Sequence, residues 1–199
     1  MKGKKIILIL FIIIIIILLI IFFKNMIKKQ KNGNNINSQE IVDTVLNLNS
    51  YKAKIFVQVN SNKNQNKYIL MQEYNTENGC VQEVIEPENI AGVKITKKDD
   101  NLKIENSGLD LQTIFENYKG LEDNSLDLSC FIKEYKDNSN SNYEEKNEEI
   151  IMKVNTKNKY TQNKTLYINK EKKIPTKLLI QDNNKNTTIV IEYIEIELN

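Results

Sequence analysis

The sequence predicts an α+β chain: a strongly curved antiparallel sheet, left unclosed as a half-barrel, with helices in its concavity and one N-terminal transmembrane helix ahead of it. Three observations carry this. Residues 6–23 form one unbroken apolar run. From Ser50 onward, apolar and polar residues alternate with a period of two, in short segments joined by polar turns. Three segments with helical spacing stand beside the strands, one before them and two in their middle.

The apolar run comes first. IILILFIIIIIILLIIFF, residues 6–23, would span roughly 27 Å as a helix, close to a hydrocarbon core of about 30 Å. Lys2, Lys4 and Lys5 make a basic n-region over residues 1–5. The run ends in Phe22-Phe23-Lys24, without the small residues of a cleavage site, so the sequence reads as an uncleaved signal anchor. A lipid anchor needs a cysteine just after such a run, and the only cysteines are Cys80 and Cys130, which excludes one. Lysines flank both ends, so counting them does not orient the helix. A short basic amino terminus ahead of such a segment ordinarily stays in the cytoplasm. The expectation is a single-pass cell-membrane protein with a linker at 24–37 and an extracytoplasmic domain at 38–199.

That domain should open with a helix. Asn37 can cap it, with Glu40 three residues on, and Ile41, Val42, Val45 and Leu46 form its stripe. Tyr51, Ala53, Ile55, Val57 and Val59 then alternate with polar residues in a first strand. Further strands are expected at 67–74, 80–85, 93–96 and 102–105, with Asn78-Gly79 as a hairpin turn and Pro87 as a stop. Residues 111–118 and 126–135 carry apolar residues at helical spacing. The acidic, low-complexity stretch 137–149 reads as a loop. Four strands, at 150–155, 165–169, 176–182 and 187–198, complete a total of nine. Tight turns between consecutive strands require antiparallel pairing.

Composition narrows the function. The 199 residues contain 28 lysines but no arginine, histidine or tryptophan. Histidine-based triads and zinc sites are excluded. Seven lysines and no acid lie in residues 1–31, so the remainder sets 21 lysines against all 26 acids, a net charge of −5. A mildly acidic body does not suit a nucleic-acid binder. The acid pairs Asp99-Asp100, Glu122-Asp123, Glu144-Glu145 and Glu148-Glu149 sit in polar stretches where such residues are ordinarily solvated. Nothing in the sequence asks for a cofactor or a metal, and no nucleophile–base pair can be drawn. Cys80 and Cys130 are an even pair outside the cytoplasm and therefore a candidate disulfide, with two buried thiols as the alternative. Tyr51, Tyr68, Phe115 and Phe131 are candidates to line an apolar cavity, with plain core packing as the alternative.

The order of elements resembles the LolA-like fold family. The matching pieces are Leu48-Asn49-Ser50-Tyr51-Lys52-Ala53 and Val84-Ile85-Glu86-Pro87 before Gly92. Asp99-Asp100-Asn101-Leu102-Lys103-Ile104 and Phe131-Ile132-Lys133-Glu134-Tyr135 follow. Thr165-Leu166-Tyr167-Ile168-Asn169 and Pro175-Thr176-Lys177-Leu178 complete the set. Within that family the chain looks most like GerS-related germination proteins of spore-forming, monoderm bacteria. The resemblance implies a curved, unclosed barrel lidded by helices, and a non-enzymatic binding protein that supports a cell-envelope or spore-cortex enzyme during sporulation or germination. The rival expectation is a carrier or sensor that binds lipid or lipoprotein acyl chains in its concave cavity. The arginine with which such carriers hold their lid is absent here, and a fixed membrane helix does not suit a shuttle.

Overall fold

In the computed structural model the first and last strands of the domain meet at the centre of one sheet. The structure describes residues 37–61, 63–99, 101–116, 126–157 and 161–199. The expected membrane segment at 6–23, its n-region and most of the linker lie outside these residues. Among the described residues no helix is long and apolar enough to cross a membrane.

Residues Ser38–Asn199 form one compact unit. It opens with helix α1 (Ser38–Leu46). Strands β1 (Ser50–Asn60), β2 (Gln65–Asn75), β3 (Gly79–Glu86), β4 (Val93–Lys98), β5 (Asn101–Asn106) and β6 (Leu111–Phe115) follow. Helix α2 (Leu128–Asp137) leads into β7 (Asn142–Lys146), β8 (Glu149–Asn155), β9 (Asn163–Asn169), β10 (Ile174–Gln181) and β11 (Thr187–Leu198). All eleven join in one curved, unclosed antiparallel sheet of order β6-β5-β4-β3-β2-β1-β11-β10-β9-β8-β7. Each half is a simple meander, and the β1–β11 ladder is the seam between them.

The alternation seen in the sequence is the alternation of the two faces. Tyr51, Ala53, Ile55 and Val57 of β1 are buried, as are Leu166 and Ile168 of β9, Leu178 and Ile180 of β10 and Ile191 of β11. These side chains form the inner face. Ile41, Val42 and Val45 of α1 and Leu128, Phe131, Ile132 and Tyr135 of α2 are buried too, the apolar stripes expected for both helices. Register shifts interrupt four of the ladders, at Lys54/Ile55 of β1 against β11, at Ile69/Leu70 of β2 against β3, at Ile180/Gln181 of β10 against β11 and at Pro175/Lys177 of β10 against β9.

Two segments differ from expectation. Residues 111–115 form edge strand β6, not a helix, and all five are exposed. The spacing of Leu111, Ile114 and Phe115 mimics a helical stripe, but pairing with β5 satisfies the backbone instead. Residues 142–146 form edge strand β7 rather than a loop. Cross-strand pairing with β8, and Lys153 Nζ at 2.7 Å from Glu144 Oε1, hold it.

A buried carboxyl cluster and the candidate functional site

Asp127 precedes α2 in an extended conformation (φ −85°, ψ 127°), but its side chain does not cap the helix. It points into the sheet, and the residue is 1% exposed. Gln82 and Cys80 of β3 and Gln72 of β2 lie on the inner face beneath it. Gln82 Nε2 donates to Asp127 Oδ1. Cys80 Sγ donates to the same oxygen at 2.9 Å, and Gln72 Nε2 at 3.3 Å. Gln72 Nε2 also donates to the Leu126 carbonyl at 2.9 Å, while Tyr51 Oη donates to Gln72 Oε1 at 3.2 Å. Cys130, one turn into α2, has Sγ 4.0 Å from Asp127 Oδ2. Tyr193 Oη is buried and accepts or donates no hydrogen bond.

The electrostatics follow from burial. Withdrawal from water raises the Asp127 pKa, and hydrogen bonds from Cys80 and Gln82 pull only partly the other way. Burial, then the nearby Asp127 charge, pushes the Cys80 thiol far up. The same two causes push Cys130 up to about 11. Tyr51 and Tyr193 are raised chiefly by burial. Both thiols are therefore protonated at neutral pH, and Cys80 serves as a hydrogen-bond donor rather than a nucleophile. The cluster ties the start of α2 to strands β2 and β3. Among the described residues no group of three or more His, Cys, Asp or Glu could hold a metal ion.

The residues singled out from sequence separate into several places. Cys80 and Cys130 are brought to one carboxylate, and both are free thiols in this structure. Tyr51 is buried and stacks on Tyr74 at a centroid distance of 5.5 Å. Phe131 is buried beside Tyr135 in α2. Tyr68 is half-buried opposite Val57. Phe115 lies on edge strand β6, 42% exposed. The acid pairs Glu144-Glu145 and Glu148-Glu149 flank the β7–β8 turn, away from Asp127.

Sequence reasoning did not single out Asp127, Gln72 or Gln82. Its missing signal was phase: Gln72 and Gln82 stand where strand alternation calls for apolar residues. An open cleft of about 730 Å³ lies between the end of α1 and α2. Asn47, Asn49, Tyr74, Cys130, Lys133 and Lys136 contribute to its walls.

The comparisons agree with this architecture. One similar solved chain, with a TM-score of 0.54 and 23% identity, comes from the structure of the CwlD amidase from Clostridioides difficile in complex with the GerS lipoprotein. The likeness covers 81% of this chain and 94% of that one. An uncharacterized conserved protein from Thermus thermophilus matches with a TM-score of 0.52 and 10% identity, over 81% and 87% of the two chains. A LolA superfamily protein from Nitrosomonas europaea matches with a TM-score of 0.41 and 11% identity, over 81% and 93%. No curated protein matches the chain in sequence. Residues 4–199 match the family model described as sporulation protein YdcC-like, and the chain belongs to that family.

Proposed function

We propose that this chain is a membrane-anchored, extracytoplasmic, non-enzymatic binding protein of sporulation or germination that holds a protein partner. A cell-envelope or spore-cortex enzyme is the partner class that fits best. One observation carries the reading: a sporulation-family chain shares its fold with a chain from a complex between an amidase and a lipoprotein. The packing supports it. Ile55, Ile168, Leu178, Ile180 and Ile191 of the inner face are fully buried, so the middle of the concavity is filled by protein. An acyl carrier would keep such a surface free for its ligand. The apolar run 6–23 supplies the tether, which raises effective concentration beside an enzyme working at the membrane surface.

The full-length chain, tagged at its carboxyl end, should capture a protein partner from sporulating cells, read by mass spectrometry for protein and for lipid. Stoichiometric lipid without a protein partner would replace this reading with that of a carrier. Protease added to intact protoplasts should digest the domain while sparing the membrane segment. Release of a shortened soluble form would remove the anchor from the proposal.

A further inference from the structure

The sheet ends in two strands of equal length and opposite character. β7, Asn142–Lys146, carries Glu144, Glu145 and Lys146, and its glutamates are bound by Lys153 at 2.7 Å and Lys170 at 2.5 Å. Charge along an edge discourages an incoming strand, so this end of the sheet is protected. β6, Leu111-Gln112-Thr113-Ile114-Phe115, has no charged residue and no proline, and it pairs with β5 in unbroken register. None of the usual protections except shortness is present, and β7 is equally short. Leu111 is 61% exposed, Ile114 53% and Phe115 42%. With Leu109 at 66%, four of the seven exposed large apolar side chains among the described residues fall within 109–115.

The backbone decides what such an edge accepts. One side of β6 is bonded to β5, from Leu111 opposite Asn106 to Phe115 opposite Leu102. Among the described residues no strand pairs with its other side. Alternate residues of an antiparallel strand turn their N–H and C=O groups to opposite sides, so the outer side of β6 presents donors and acceptors in ladder spacing. A further extended chain matches that row; a helix, whose backbone groups are already bonded to one another, does not. Side chains add contact on both surfaces of the sheet. Leu111, Thr113 and Phe115 share the surface of Leu102 and Ile104, while Ile114 lies on the other, opposite Lys103. The charges directly behind β6 cancel, because Lys103 and Glu105 of β5 pair with each other at 2.5 Å.

We infer that β6 takes up an extended segment of a protein partner as a twelfth, antiparallel strand, apolar on both surfaces at its middle and basic at its ends. This strand addition rests on the proposed binding role and names the element that would serve it. The register separates a partner from a second copy. Two copies of β6 paired antiparallel about Thr113 would set the exposed Asp110 opposite Glu116 at both ends of the new ladder. Like charges directly opposite are destabilising, whereas lysine or arginine at those positions turns both repulsions into attractions.

The test uses the full-length chain in nanodiscs of zwitterionic lipid, with isoleucine methyl groups labelled for NMR. The probes are three capped peptides about seven residues long, enough to span β6. One alternates valine and threonine between terminal lysines. The second has glutamate at both ends, and the third is the lysine peptide with its backbone amides N-methylated. With the lysine peptide, the Ile114 methyl signal should move and the β6 amides should exchange more slowly with solvent deuterium, while the methyl signals of the buried Ile168 and Ile180 stay. Leu111→Glu combined with Ile114→Lys gives β6 the mixed charge of β7 at no change in net charge, and should weaken binding about tenfold or more. Both positions are exposed, and unchanged core methyl signals would verify the fold. Equal binding of the N-methylated peptide would overturn strand addition. So would equal binding of the glutamate peptide, undiminished binding by the double variant, or β6 protection that appears with raised protein concentration alone. A cellular partner captured equally by wild type and double variant also overturns the assignment of this edge but leaves the binding role standing. Capture of no partner removes the role, and the strand addition with it.

Discussion

Lys164 of β9 and Glu134 of α2 are joined at 2.6 Å, with the lysine side chain 1% exposed and the glutamate 23% exposed. The pair pins the body of α2 to the half of the sheet opposite the Asp127 cluster, so the helix is tied at one end to β2 and β3 and further along to β9. The second oxygen of Glu134 is buried without a hydrogen bond.

Lys164→Ala should therefore cost about 3 kcal/mol, the lower end of the range for breaking a buried pair, because Glu134 keeps some contact with water. Replacing both, as Lys164→Met with Glu134→Leu, should recover most of that loss. Urea unfolding of the two variants measures it. An equal loss in both would show that packing, not the uncompensated charge, sets the cost.

Asp127 makes stability depend on pH with a definite sign. Its folded pKa is raised above the ordinary 3.8 by burial. The contribution is fully present below the ordinary value, where the carboxyl is protonated in both states. It is lost as pH rises through the raised folded value, at about 1.4 kcal/mol for each unit between the two. Asp127→Asn keeps an acceptor for Gln72, Gln82 and Cys80 and should abolish that decline. Glu144 (bonded by Lys153), Glu145 (by Lys170) and Asp182 (by Asn186) are held below their ordinary values, give the opposite slope at lower pH, and are common to both proteins. Unfolding free energy across the acid-to-neutral range should fall for wild type relative to the variant; parallel curves would refute the assignment.

Gly79 and Gly92 both have positive φ, at 79° and 81°. A Cβ at Gly79 would run into the Lys97 backbone carbonyl, whereas one at Gly92 would meet open space. Gly79→Ala should cost more than about 2 kcal/mol, since strain and clash add, and Gly92→Ala only about 1 kcal/mol, the strain alone. Thermal melts of the two variants make the comparison.

Val57→Asp should be the most damaging of these changes. Val57 is 1% exposed on the inner face, between Tyr68 and Ile191 in the ladder. An unpaired carboxylate there should cost more than about 4 kcal/mol, and loss of the cooperative unfolding transition is the expected readout.

The parts of the fold that were legible in sequence are those where burial has a phase. β1 alternates cleanly because one of its faces is covered by the core, and α2 shows its stripe at Leu128, Phe131, Ile132 and Tyr135 for the same reason. The two edge strands were illegible because neither has a buried face of its own: β6 is exposed along its length, and β7 is half-buried only at Tyr143. The Asp127 cluster hid differently. Its glutamines occupy inner-face positions where a polar side chain breaks the pattern, and only Asp127, the residue just ahead of α2 and 45 residues beyond Gln82, explains why they are tolerated there.

The central seam has a consequence for how the protein is made. Every strand but two finds its neighbours among adjacent segments of chain, so each meander can assemble locally as it leaves the ribosome. The apolar row of β1, from Tyr51 to Val57, cannot be flanked on both sides until the twelve residues of β11 have been synthesised. Throughout translation the nascent domain therefore presents an unprotected strand edge next to its most apolar face. Quality control acting on the nascent chain has its natural target there, and the two halves become one cooperative body only when the last strand arrives.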